Sequence, residues 1–247
     1  MEVDNITEKK VIKRKREKKI DEPLNIYLTD TKYEIGIDEA GRGPMFGRVY
    51  TSAVILPKDD TFDHSKMKDS KRFHSKKKIK EVAEYIKNNA LYWSVQYIEH
   101  NEIDKLNIRE ATIQCMHKCI SDILDKANIK NDFNDYYLLI DGNDFKPYGR
   151  LQENKLNYIK YTCIEGGDNL YTNIAAASIL SKVHRDEYIE DMCEKYPLLD
   201  EYYDLRSNKG YGTSKHIGGI YKYGISPWHR RTYGLCKTQE INKNFII

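Results

Sequence analysis

The chain predicts an α/β layer fold with a mixed five-stranded sheet, flanking helices and a helical C-terminal portion. Three observations lead there. Short apolar or β-branched runs alternate with stretches whose apolar residues recur every three to four positions. Glycine-rich or Asp-Gly turns follow several of those runs. The length of 247 residues, 40% of them hydrophobic and 11% aromatic, suffices for one sizeable core.

Residues 1–31 read as a basic, disordered leader in which Pro23 interrupts any long helix. Residues 33–37 (YEIGI) form the first expected strand, followed by the turn Gly41-Arg42-Gly43-Pro44. Residues 49–56 (VYTSAVIL) form the second, stopped by Pro57. After a polar loop, Ile79, Val82, Ala83 and Ile86 repeat at helical spacing. Residues 91–98 are the third strand, and residues 108–124 a long helix with a broad apolar face. The fourth strand, 136–140, ends at Asp141-Gly142, and the fifth, 159–164, at Gly166-Gly167-Asp168. An Ala-rich helix over 174–188 extends toward Pro197, and a glycine-containing loop at 208–213 precedes a short helix over 214–223. Residues 32–247 are expected to form a single catalytic domain.

No apolar run approaches the roughly 18 to 20 residues of a membrane span, and no secretory signal opens the chain. Five scattered cysteines with no CxxC pair argue against a disulfide framework and fit a reducing cytoplasmic compartment. Cys115, His117 and Cys119 resemble a metal cluster, but on a helix the middle residue points away from the other two, so packing is the expected role. The formal charge of +3 is unevenly spread. Lys9 to Lys19 holds eight basic residues and one acid, which leaves 33 basic and 37 acidic residues elsewhere. Such a leader is a solvated tail, a nucleic-acid tether or a localisation signal.

Acidic residues stand directly after three expected strands: Asp38 and Glu39 after the first, Asp141 after the fourth and Asp168 after the fifth. Catalytic sites in open α/β sheets lie outside strand ends. Two carboxylates about 4 Å apart repel by roughly 4 kcal/mol at an effective dielectric of 20, so a converging set calls for protons, basic partners or metal. Hard oxygen ligands in an open cluster suit Mg²⁺ or Mn²⁺, and two such ions can drive phosphodiester hydrolysis. Any single Asp after a strand also serves as a turn residue. Gly41, Gly43 and Gly47 resemble a phosphate loop, but their spacing is not the dinucleotide fingerprint, and Asp38 and Glu39 would repel a pyrophosphate.

The run Gly36-Ile37-Asp38-Glu39-Ala40-Gly41-Arg42-Gly43-Pro44, followed by Gly47, resembles the N-terminal signature of type 2 ribonuclease H. Ordered companions extend the likeness over residues 33–234. They are KDSK at 68–71, IDG at 140–142, Gly167-Asp168 leading into AAASILSKVHRD at 175–186, NKGYGT at 208–213 and PWHRRTY at 227–233. The resemblance implies a ribonuclease H-like fold. It also implies an endonuclease that hydrolyses RNA hybridised to or embedded in DNA, cutting 5′ of the ribonucleotide to leave 3′-hydroxyl and 5′-phosphate ends. Asp38, Glu39, Asp141 and Asp168 are the implied ligands of two Mg²⁺ or Mn²⁺ ions. Gly41, Arg42 and Gly43 are implied to read the ribose 2′-hydroxyl, the group that distinguishes RNA from DNA, and Tyr211 to pack on the sugar at the RNA–DNA junction. Type 3 relatives lack the GRG form and carry a substantial N-terminal domain.

Other positions keep two readings. Lys71 and Lys182 are substrate or metal-site cations by family position, or ordinary surface lysines. Asp186 is expected to pair with an arginine. Family members usually carry Gly-Pro where this chain has Gly47-Arg48, so Arg48 either reaches a phosphate or is a solvated replacement for a rigid turn residue. His229 and Arg230 touch DNA phosphate or brace the C-terminal segment. The expected partners are RNA–DNA hybrid and ribonucleotide-containing duplex DNA, with no membrane and a monomeric enzyme. A hybrid-binding protein without catalysis and a metal-dependent DNA nuclease are the competing functions.

Overall fold

The computed structural model describes residues 10–12, 23–127, 133–152 and 155–245. They fall into two compact units. The first takes in the described residues of Met1–Glu39 with Thr51–Gln96 and Met116–Ser181. The second comprises Ala40–Tyr50, Tyr97–Cys115 and Lys182–Ile247.

In chain order the elements begin with β1 (Lys10–Ile12), β2 (Tyr33–Ala40), β3 (Val49–Ile55), α1 (Lys76–Asn89) and β4 (Tyr92–Ile98). Helices α2 (His100–Leu106) and α3 (Ile108–Lys126) follow, then β5 (Tyr136–Asp141), β6 (Gly149–Gln152), β7 (Lys155–Tyr158) and β8 (Lys160–Ile164). Helices α4 (Thr172–Lys195), α5 (Leu198–Tyr203), α6 (Leu205–Asn208) and α7 (Ser214–Tyr223) complete the order. The main sheet runs β1-β8-β5-β2-β3-β4, with β6 and β7 forming a separate antiparallel hairpin.

The five expected strands are β2, β3, β4, β5 and β8, and the helices over 79–86, 108–124, 174–188 and 214–223 are α1, α3, α4 and α7. Several elements depart from expectation. Within the segment read as a disordered leader, Lys10–Ile12 pairs parallel with β8, because a strand edge offers unpaired backbone groups to any extended segment that reaches it. Residues 1–9 and 13–22, the rest of the basic run, lie outside the described residues. The β6–β7 hairpin, α2, α5 and α6 carry too few residues for a periodic apolar signal to register.

In the first unit, β2 pairs parallel with β5 and β5 with β8. Alternate residues point to opposite faces. Ile35, Ile37, Leu138 and Ile140 therefore pack with Met116, Ile120 and Ile123 of α3, while Leu139 and Ile164 pack with Ile174 of α4. Burial on both faces explains why these strands read as near-continuous apolar runs. Gly36 points to the α4 face, where a Cβ would stand 2.3 Å from the carbonyl carbon of Asn173 and 2.5 Å from the Ile174 nitrogen. The Ala175-Ala176-Ala177 run is fully buried, in keeping with close helix packing.

The second unit has its own small core of Val49, Ile98, Ile103, Ala111 and Cys115, with Tyr233 packed against it. His216 and His229, both buried, meet at 2.9 Å between their Nε2 atoms, and His229 Nδ1 lies 2.8 Å from the Ser226 hydroxyl. No helix among the described residues is long and apolar enough to cross a membrane. Cys115 and Cys119 are fully buried, with Cys119 bonded to the Thr51 carbonyl at 3.2 Å, and His117 Nε2 meets the Lys146 carbonyl at 2.9 Å, consistent with packing roles.

Because backbone atoms cannot move aside cheaply, Gly36→Ala is expected to destabilise the protein by about 1–3 kcal/mol. A urea unfolding midpoint indistinguishable from wild type would show that β2 and α4 separate more easily than this packing requires.

Candidate active site

Strand register brings the first acids together. Ile37 on β2 pairs with Ile140 on β5, so Asp38 and Asp141 come next to each other on adjacent parallel strands. Strand β2 runs on to Ala40, so Asp38 and Glu39 lie in its last residues and not after it as expected, and Asp141 ends β5. Neighbouring strands lie about 4.8 Å apart. Asp141 in turn pairs with Ile164 on β8, and the chain beyond that strand turns through Gly167–Asn169 to present Asp168.

Each carboxylate is oriented by short hydrogen bonds within the first unit. Asp38 Oδ1 accepts from the Glu39 amide at 2.7 Å, and the Ser178 hydroxyl of α4 also bonds its carboxylate. Asp141 Oδ1 accepts from the Gly167 amide at 2.7 Å. The Asn169 side-chain amide donates to Asp168 at 2.9 Å and to Asp69 at 3.1 Å.

Burial and repulsion dominate the electrostatics. Desolvation, followed by the charges of Asp141, Glu39 and Asp168, raises the Asp38 pKa well above the usual range, against the Ser178 hydrogen bond. Asp141 is pushed up to about 7 by burial and then by Asp168 and Glu39, despite the Gly167 and Asp168 amides. Burial and the Asp69 charge raise Asp168. Asp69 itself is lowered: burial is outweighed by hydrogen bonds from the Lys71 amide, Asn169 and the Asp168 carboxyl, and by the Lys71 charge. Burial alone would depress the Lys71 ammonium, but Asp168, Asp69, Asp38 and Asp141 outweigh it and hold its pKa up. Lys71 therefore serves as a counter-cation to the acid group.

Asp38, Glu39, Asp141 and Asp168 thus form one electrostatic group, and Lys71 acts on Asp38, Asp141 and Asp168 within it. They do not form a closed cage: among the described residues, no three His, Cys, Asp or Glu side chains converge closely enough to hold a metal ion as they stand. Burial, with mutual repulsion added to it, favours the protonated forms of Asp38, Asp141 and Asp168. An all-oxygen donor set of this kind fits a hard divalent cation, which would replace those protons. Sequence reasoning passed over Asp69, Ser178 and Asn169 as site residues. Asp69 lies inside the recognised KDSK segment, whereas Ser178 sits in a run whose small residues signalled only packing.

The remaining expected residues belong to the second unit. Gly41 adopts φ +99° and is buried, while Arg42 and Gly43 are exposed. A Cβ on Gly41 would collide with Arg185 Nε at 2.2 Å, so this position needs glycine for both conformation and space. The Met45 amide donates to the Gly210 carbonyl at 2.9 Å, and the Cβ position of Gly43 lies 3.3 Å from the Tyr211 ring. Tyr211, half-exposed, is held from behind by its carbonyl's 3.0 Å contact with His216 Nδ1. Turn and tyrosine are therefore adjacent. Lys182 lies beside Asp186 at 2.5 Å, one helical turn along α4, which corrects the expectation of an arginine partner for that acid.

Two ambiguities resolve. Arg48 is neither free to reach a phosphate nor solvated. Its guanidinium lies 3.9 Å over the Tyr97 ring and 4.5 Å over Tyr188, and bonds Glu99 at 2.7 Å, a combination of cation–π and ion-pair contacts that only a planar cation makes. His229 and Arg230 are 1% and 0% exposed, so they brace the interior instead of meeting DNA.

The profile of the family described as Ribonuclease HII matches residues 35–236. Ribonuclease HII of Bacteroides thetaiotaomicron is 40% identical over 219 residues, which is 89% of this chain and 98% of that protein. The Phocaeicola vulgatus enzyme of the same name is 40% identical over 214 residues, 86% of this chain and 94% of its own. Among solved structures, ribonuclease H2 from Pyrococcus horikoshii OT3 superposes with a TM-score of 0.64 at 20% identity, covering 83% of this chain and 95% of that one, a likeness of fold. With strand-end acids, glycine turn and family profile in agreement, the chain belongs to the ribonuclease HII family and is a ribonuclease H, a hydrolase of RNA paired with DNA.

Proposed function

We propose that this ribonuclease is a metal-dependent endonuclease. It hydrolyses the RNA strand of RNA–DNA hybrids and nicks duplex DNA on the 5′ side of an embedded ribonucleotide, leaving 3′-hydroxyl and 5′-phosphate ends. The observation that carries the reading is the buried, mutually repelling carboxylate group at the ends of β2 and β5, an arrangement costly to maintain without a cationic ligand. Residues 32–247 act as the catalytic domain of a monomeric cytoplasmic enzyme.

Asp38, Glu39, Asp141 and Asp168 would hold two Mg²⁺ or Mn²⁺ ions. Bound there, such ions polarise the scissile phosphoryl group and make an attacking water more acidic. The protein's own groups do the positioning. Ser178 and the Glu39 amide orient Asp38, the Gly167 amide orients Asp141, and Asn169 spans Asp168 and Asp69. Lys71 offsets negative charge as a phosphodiester approaches, and Lys182 contributes to strand binding. Gly41, Arg42 and Gly43 sense the 2′-hydroxyl, and Tyr211 packs on the sugar.

A duplex carrying one ribonucleotide should be nicked in Mg²⁺ and left intact in EDTA, and Asp38→Asn should reduce nicking below detection while still binding the duplex. Near-normal turnover by that variant would remove Asp38 from the ligand set; binding without nicking by the wild-type chain would favour a non-catalytic hybrid binder, and cleavage of an all-DNA duplex a DNA nuclease. Tyr211→Ala should lower kcat/KM on the same duplex by about tenfold, the scale of one aromatic packing contact; an unchanged value would take Tyr211 out of the site.

The raised Asp141 pKa has a stability consequence. Its folded value of about 7 lies above the 3.8 of an unperturbed Asp, so its contribution is fully present below about pH 4 and is lost as pH rises through 7. Metal-free protein should therefore lose Tm between pH 5 and 8 more steeply than Asp141→Asn, and Mg²⁺ should flatten the wild-type profile. Parallel profiles for the two metal-free proteins would contradict this account of Asp141.

A further inference from the structure

We propose that Arg230, backed by Tyr233, is the positioning residue of the ribose-sensing turn and so a determinant of selectivity for ribonucleotides. The proposal rests on the reading of Gly41, Arg42 and Gly43 as the 2′-hydroxyl sensor. Arg230 is wholly buried, and among the described residues its guanidinium bonds no carboxylate. Its donors are spent on backbone: Nη2 to the Gly41 carbonyl at 2.7 Å, Nη1 to the Arg42 carbonyl at 3.0 Å and Nε to the Gly47 carbonyl at 2.8 Å. The Tyr233 hydroxyl donates to the same Arg42 carbonyl at 2.9 Å and lies 3.3 Å from Arg230 Nη1.

Peptide planarity turns this into a statement about the outer surface of the turn. In a trans peptide the carbonyl and the following N–H point in opposite directions. Drawing the Gly41 and Arg42 carbonyls inward therefore directs the N–H groups of Arg42 and Gly43 away from Arg230. Both residues are exposed, whereas Gly41 is buried. Two successive amide donors then face outward beside Tyr211, a geometry suited to one oxygen acceptor such as a sugar hydroxyl. Nothing in this role asks Arg230 to touch the substrate. A planar fork of donors can hold three carbonyls at once, and a lysine ammonium cannot reproduce that pattern.

The test uses the full-length protein, with kcat and KM measured on a duplex bearing one ribonucleotide and Kd on the same duplex made entirely of DNA. Arg230→Lys should lower kcat/KM on the ribonucleotide duplex by about tenfold or more, and Tyr233→Phe by about fivefold, each with the all-DNA Kd within about twofold of wild type. Selectivity thus falls while general DNA affinity holds, which loss of folded protein or of electrostatic attraction would not produce. Should Arg230→Lys fail to fold, Tyr233→Phe decides alone, since its ring still packs. Unchanged kcat/KM in Tyr233→Phe, or equal losses on both duplexes, would overturn the proposal. Wild-type protein that leaves the ribonucleotide duplex uncut would instead overturn the functional reading beneath it.

Discussion

Repulsion between carboxylates held out of water is the constraint on which the first unit turns. Parallel pairing of β2 with β5 leaves Asp38 and Asp141 no choice but to emerge as neighbours, and the chain after β8 adds Asp168 to the group. A fold selected for stability alone would not gather like charges at a sheet end, where each raises the others' proton affinity. The surrounding groups make the arrangement tolerable. Amide donors at Glu39 and Gly167, the Ser178 hydroxyl and the Lys71 ammonium each favour the ionised form of an acid next to them. Burial and mutual repulsion thus favour the protonated acids, and the neighbouring donors and Lys71 pull the other way.

The second unit solves a different problem, that of holding an irregular glycine turn in one conformation. Regular elements satisfy their own backbone groups, but a turn must find partners elsewhere. Here the partners are side chains and loops: Arg230 for three carbonyls, the Gly210 carbonyl for the Met45 amide and the Trp228 carbonyl for the Gly47 amide. Burying a guanidinium is costly, and its pKa is pulled down to about 10 by that burial. Hydrogen bonds to three carbonyl oxygens partly offset the lost hydration. Arg48 shows the same principle with different partners, its charge shared between two tyrosine rings and Glu99.

Much of the frame was legible because apolar periodicity is a direct consequence of burial. Strands buried on both faces left mostly β-branched or apolar runs at 49–55 and 136–140, and α1 and α3 left helical spacing. Short elements escaped. Four-residue strands such as Gly149–Gln152 and one-turn helices such as Leu205–Asn208 are held by their neighbours, so their residues carry no repeat of their own. Lys10–Ile12 depends wholly on an available edge of β8. At the site, the acids could be named from their place near strand ends and from the family signature, whereas Asp69 and Ser178 could not. Their participation comes from packing between segments more than 100 residues apart, as the 3.0 Å contact of Ser70 with Ser178 shows.

What the linear chain determined was the set of reactive groups and the elements that carry them: acids near strand ends, a glycine turn, a tyrosine in a glycine loop. Local chemistry suffices for that, since turn formation, strand propensity and charge are properties of a few adjacent residues. Tertiary structure alone decided which groups share an electrostatic environment, which lysine faces the acids, and that Arg48 and Arg230 serve the interior. Those outcomes depend on strand register and on burial. Both arise only when distant segments exclude water from between them, and no short stretch of sequence encodes that exclusion.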